Sequence, residues 1–102
     1  MNQAAKRTVR TWTKDDLEQA RTTSLAPILA LKGYATIKLP NGAVMLRNFP
    51  GLLIHDNRWT WKNQHLYGNT LDFLTTIDGQ TFAQAMTIIE QFHDDQNGED
   101  SD

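Results

Sequence analysis

Two tight-turn signals stand back to back in the middle of this chain, and they leave little freedom in what it can fold into. YATIKLP and AVMLR flank Asn41-Gly42, the strongest short-range hairpin signal a sequence carries. LLIH and RWTW then flank Asp56-Asn57, two residues able to take the positive φ angles of a tight turn. Phe49-Pro50-Gly51 makes the corner between them. Alternation places Trp59 and Trp61 on one face of their strand, with Arg58, Thr60 and Lys62 on the other. A lone hairpin is marginal in water, so the region predicts an antiparallel sheet of three to four strands.

On either side of this region the apolar period is that of helices. Thr13, with acidic Asp16 three residues on, reads as the cap of a helix reaching about Thr22. Thr23 or Ser24 caps a second, Leu25 to Leu31, with Pro27 in its first turn and Gly33 ending it. After the sheet, Asn69 or Thr70 caps Leu71 to Ile77, and Gly79 ends that short helix. Thr81 and Gln84 form a capping box for the last helix, whose apolar face is Phe82, Ala85, Met86, Ile89 and Phe92. Small Ala83 and Ala85 are expected to let it approach the sheet closely. The order predicts one α+β domain: a small antiparallel sheet flanked by N-terminal and C-terminal helices. It spans residues 13–93, between a flexible basic arm (1–12) and a disordered acidic tail (94–102).

A chain of 102 residues has room for one small core, and three Trp, four Phe and two Tyr supply much of it. No cysteine is present, which excludes disulfides, thiolate metal sites and cysteine nucleophiles. No apolar run nears the about 20 residues of a membrane span, and MNQAAKRTVR lacks the apolar stretch of a secretion signal, so a cytoplasmic location is expected. The formal charge of −2 is uneven: Lys6, Arg7 and Arg10 make the start basic, Asp94, Asp95, Glu99, Asp100 and Asp102 make the end acidic, and the residues between are balanced.

The chemistry-bearing residues have structural explanations. His55, His65 and His93, even with Asp56 and Asp72, have no ligand spacing for zinc, so no metal is expected. Asp56 reads as a turn residue, Asp72 as a first-turn charge and Asp78 as part of a helix end, while Ser24 and the threonines read as caps. With no nucleophile elbow and no glycine-rich phosphate loop, neither an enzyme nor a cofactor is expected. What remains is a surface. Arg58 and Lys62 share a strand face, Arg47 and Lys38 lie on neighbouring strands, and Trp12, Tyr67 or Tyr34 could supply an exposed ring. Basic residues around an aromatic are what single-stranded nucleic acid needs: charge for the phosphates, a π-face for the bases.

The run WTWKNQHLYGNTLDFLTTIDGQTFAQAMTII resembles the C-terminal half of the zinc-binding domain of bacterial primases. It is also similar to cysteine-less relatives that accompany Toprim-type primase domains in plasmid and phage proteins. The resemblance rests on the aromatic strand Trp59 to Trp61, Gly68, Leu71-Asp72-Phe73-Leu74, and Thr81-Phe82 with Ala85 and Ile88. Leu31-Lys32-Gly33-Tyr34 fits the family's opening, so the resemblance covers most of residues 15–92. The family's ligands are three cysteines and a histidine. Here Trp61 and His65 fall near the second ligand pair, and Met45 to Asn48 near the first. The resemblance thus implies a degenerate, zinc-ribbon-like fold in which aromatic burial replaces the metal. It further implies a non-enzymatic DNA-binding accessory module of a phage or mobile-element replication or mobilisation system. Lys38, Arg47, Arg58 and Lys62 would contact the backbone of single-stranded DNA, and Trp12 or Tyr67 would stack. The acidic tail and balanced core suit a second reading, a small protein-interaction module such as a phage inhibitor of a host nuclease, replication or defence protein. Neither reading involves a membrane, and the sequence leaves the oligomeric state open.

Overall fold

The computed structural model describes residues 12–101, with side chains as far as Asp95; Lys6, Arg7 and Arg10 lie outside the described residues. Helix α1 (Lys14–Thr22) starts at a complete capping box: the Thr13 hydroxyl accepts from the Asp16 N–H at 3.1 Å, and the Asp16 carboxylate accepts from the Thr13 N–H at 3.0 Å. Helix α2 (Leu25–Leu31) follows after two residues. Ser24 stands at its N-cap but does not cap it by its side chain; the hydroxyl instead donates to the Asp56 carboxylate. The chain leaves α2 through Gly33, whose φ of +95° suits the missing Cβ.

Five antiparallel strands come next, in sequence order: β1 (Thr36–Lys38), β2 (Val44–Leu46), β3 (Leu52–His55), β4 (Arg58–Trp61) and β5 (Leu66–Asn69). The class is the expected α+β, with one strand more than expected. The segment around Gly68, which carries no strand alternation, is β5, joined to β4 by a 3-10 turn, Lys62–Gln64. Gly68 is required there by crowding: a Cβ would lie 2.6 Å from the Cβ of Asp72. Asp72 is drawn in because it completes a second capping box with Asn69, opening the short helix α3 (Thr70–Asp72).

The β1–β2 hairpin differs from expectation by one residue. Its loop is Pro40-Asn41-Gly42, with the Gly42 N–H donating to Leu39 O, Gly42 at φ +91°, and the Asn41 side chain accepting from the Ala43 N–H. This is a turn followed by a left-handed glycine, the three-residue alternative to a two-residue Asn-Gly loop. It pairs Lys38 with Val44, where a two-residue loop would pair it with Met45. In the β3–β4 turn only Asp56 takes a positive φ, of 56°.

Helix α3 runs on as a π-helical turn, Phe73–Ile77, closed by the Asp78 N–H on Phe73 O at 3.0 Å. Adjacent Phe73 and Leu74 are both buried but in different clusters. Phe73 joins Leu25, Leu29, Leu46, Leu52, Ile54 and Trp59 beneath the sheet. Leu74 joins Ala20, Ile28, Leu71, Ala85, Met86 and Ile89 between the helices. Helices α2 and α3 therefore form a middle layer buried on both sides. The last helix, α4 (Phe82–Ser101), starts at the expected Thr81–Gln84 box. It packs on this middle layer and on α1, not on the sheet, and Ala83 is exposed. Nor does it stop at His93: its backbone stays helical to Ser101, past the last apolar side chain packed on the core, Phe92.

Trp59, 2% exposed, is the hub. Its ring meets Phe73 edge-on at 5.6 Å and its indole N–H donates to Asn69 O at 2.8 Å. Trp59→Ala should therefore cost about 3–5 kcal/mol in a denaturant titration. A second tie joins α2 to α3: Asp78 accepts from the Tyr34 hydroxyl, from Gln80 at 2.8 Å, and pairs with Lys32 at 3.1 Å. Burial alone would raise the Asp78 pKa, but these three partners outweigh it and hold the carboxyl below its usual range. The folded state thus binds this proton less readily, so the contribution is complete above the unfolded value of about 4 and is lost as pH falls further. Asp78→Asn should accordingly flatten the acid limb of the stability–pH curve, read by chemical denaturation across that range.

Candidate nucleic-acid interface

Among the described residues, the helices pack on one face of the sheet and leave the other open. Register assigns every strand position. Trp59 is opposite Ile54 and Gly68, Val44 is opposite Ile54, and Lys38 is opposite Val44, all on the helix side. The open face carries a row that crosses all five strands: Ile37, Met45, Leu53, Thr60 and Tyr67, each paired with the next. Ile37, Met45 and Leu53 are half-buried, and the Tyr67 ring stands 80% exposed at the end of the row. On one side of the row, at the turn end of β3 and β4, come His55 and Arg58, paired with each other across the strands. At the opposite end Arg47 follows β2, Lys62 follows β4 and His65 precedes β5, all exposed. No carboxylate occupies a position on this face of the five strands. The nearest acid in sequence, Asp56, is in the β3–β4 turn, engaged by Ser24 and by the Leu25 N–H, which donates to its carbonyl at 3.0 Å.

Of the residues singled out from sequence, the fold brings Arg47, Arg58, Lys62 and Tyr67 to this face or its ends. Lys38 is separated from them: it belongs to the helix side, at the β1 edge, three strand spacings or about 14 Å from Arg58. The one-residue difference in the hairpin loop is the cause, since slipping a register by one exchanges faces. Trp12 is separated too. It lies half-buried against the helical cluster, edge-on to Phe82 at 5.6 Å, and its indole N–H donates to Glu90 at 3.1 Å. Tyr34, hydrogen-bonded to Asp78, tilted against Phe49 and edge-on to Phe73, is no free ring either. His93 shares a 2.8 Å hydrogen bond with Thr23. Among the described residues no three His, Asp or Glu side chains converge as a metal would require.

The fold adds Arg21, which the sequence offered only as a helix residue. The Asn57 side-chain amide donates to Arg21 O at 2.8 Å and so brings the end of α1 to the β3–β4 turn. Between them lies a cleft of about 610 Å³ whose walls include Glu18, Arg21, Asn57, Arg58, Tyr67 and Asp72.

Comparison of the chain with family models, curated proteins and solved structures gave no match. Function must therefore be read from the surface itself. If Tyr67 is kept for binding and not for packing, Tyr67→Ala should change stability by no more than about 0.5 kcal/mol. Trp12→Ala, which removes a ring packed on the core, should cost about 1–3 kcal/mol in the same urea titration.

Proposed function

We propose that the open sheet face binds single-stranded DNA and that the protein is a non-enzymatic accessory module of a replication or mobilisation system. The observation that carries this reading is the row from Ile37 to Tyr67, apolar to aromatic, with cations at both ends of the strands and no carboxylate on the strands themselves. Bases can lie on such a row, because every base has a π-face and an apolar floor is indifferent to sequence. Arg58 on one border and Arg47 with Lys62 on the other supply charge for phosphates. Five strands at about 4.8 Å make the row about 19 Å long, room for a short stretch of strand. The setting in a phage or mobile element comes from the resemblance to primase zinc-binding domains.

A second reading is favoured by a different observation. On the helical side Leu31 is 68% exposed and Phe82 47%, large apolar groups of the kind that anchor protein partners. In that reading the chain is a small inhibitor or adaptor and the DNA surface is incidental.

Anisotropy of a labelled oligothymidylate at two salt concentrations separates the two. The DNA reading predicts micromolar or tighter binding that weakens with salt. Arg58→Glu and Arg47→Glu should each weaken it several-fold and shallow the log–log salt slope by about 0.7 for each phosphate no longer neutralised. Absence of binding at low salt, with pull-down of a protein that Leu31→Glu abolishes, would support the second reading instead.

A further inference from the structure

The cleft at the β4–β5 corner has a composition that the open face does not share. At about 610 Å³ it is the size of a small-molecule site. Arg21 and Arg58 both line it, and neither guanidinium has a carboxylate within ion-pair reach or a hydrogen-bond acceptor among the described residues. Two unpaired guanidiniums on one cleft suit a phosphate, and a dianionic monoester better than a singly charged diester. Tyr67, at the rim, is the same ring that ends the apolar row.

The cleft is not simply basic. Glu18 and Asp72 are on its walls as well, so its formal charge is balanced. Asp72 is already an acceptor for the Asn69 N–H, whereas the Glu18 carboxylate has no partner among the described residues. A ligand that fits must therefore carry an anion for the arginines, a donor such as a sugar hydroxyl for Glu18, and a flat ring for Tyr67. A nucleotide bears all three.

We propose that this cleft holds a nucleotide by a terminal phosphate monoester, either a free nucleotide or the phosphorylated end of a strand lying on the open face. The second source rests on the single-strand reading above; the first does not. Arg21 and Arg58 clamp the phosphate, Tyr67 stacks the base and Glu18 accepts from the sugar.

Oligothymidylates with a 5′-phosphate, a 3′-phosphate or neither should be compared by anisotropy, alongside thymidine monophosphate followed by tryptophan fluorescence, since Trp59 lines the cleft. The expected result is at least tenfold tighter binding of one phosphorylated end than of the unphosphorylated strand. Arg21→Ala should abolish that preference while leaving the unphosphorylated strand's affinity unchanged. Equal binding of all three strands, with no response to the mononucleotide, would overturn the cleft proposal and leave the sheet reading standing. A response to the mononucleotide that Arg21→Ala removes, without any strand binding, would uphold the cleft and overturn the sheet reading. No response to any of these probes would overturn both. Arg21→Lys keeps the charge but not the fork, and should recover only part of the preference.

Discussion

The indole of Trp59 joins the sheet to the helices beneath it. Its faces fill the space between the sheet and the middle helices, and its N–H reaches across to Asn69 O. That bond ties down the last residue of β5, an edge strand paired with β4 alone. Asn69 in turn caps α3, whose Asp72 leaves no room for a side chain at Gly68. One buried aromatic thus fixes a strand, a cap and a glycine, and through them the position of Tyr67. A small domain lacking disulfides obtains its cohesion from this kind of shared burial.

The middle layer explains why the two faces of the sheet can differ so sharply. Helices α2 and α3 bury apolar groups toward the sheet, Leu25, Leu29 and Phe73, and toward the outer helices, Ile28, Leu71 and Leu74. Consecutive residues Phe73 and Leu74 serve opposite layers. With the core met on one side of the sheet, the other side is free to carry a row of moderate apolarity between cations. The turn at Asp56-Asn57 is fastened to α1 and α2 through Ser24, Leu25 and Arg21, so the corner that presents Arg58 is held at a defined angle.

What was legible in the sequence was local. Thr13 with Asp16, and Thr81 with Gln84, are closed within three residues, so their chemistry shows in the string itself. The inward side of Trp59 and Trp61 followed from alternation alone. Strand β5 was illegible because LYGN has no alternation and its glycine answers to Asp72, a constraint visible only once α3 is in place. Lys38 went to the other face because Pro40 enters the loop, and one added loop residue inverts every side chain beyond it. Trp12 and Arg21 depend on partners far along the chain, Glu90 and Asn57, and no periodicity announces such pairs. The candidate surface was therefore half readable: the residues on β4 and Tyr67 were, the row that organises them was not.

The proposed surface for single-stranded DNA is the open face, not the helical side. Backbone amide shifts in a nitrogen–proton correlation spectrum, followed during titration with an oligothymidylate, test it most directly. Shifts should concentrate at Ile37, Met45, Leu53, Arg58, Thr60 and Tyr67, with Leu31, Phe82 and the exposed side of α4 unmoved. Shifts confined to the helical side, or none at saturating strand, would contradict it.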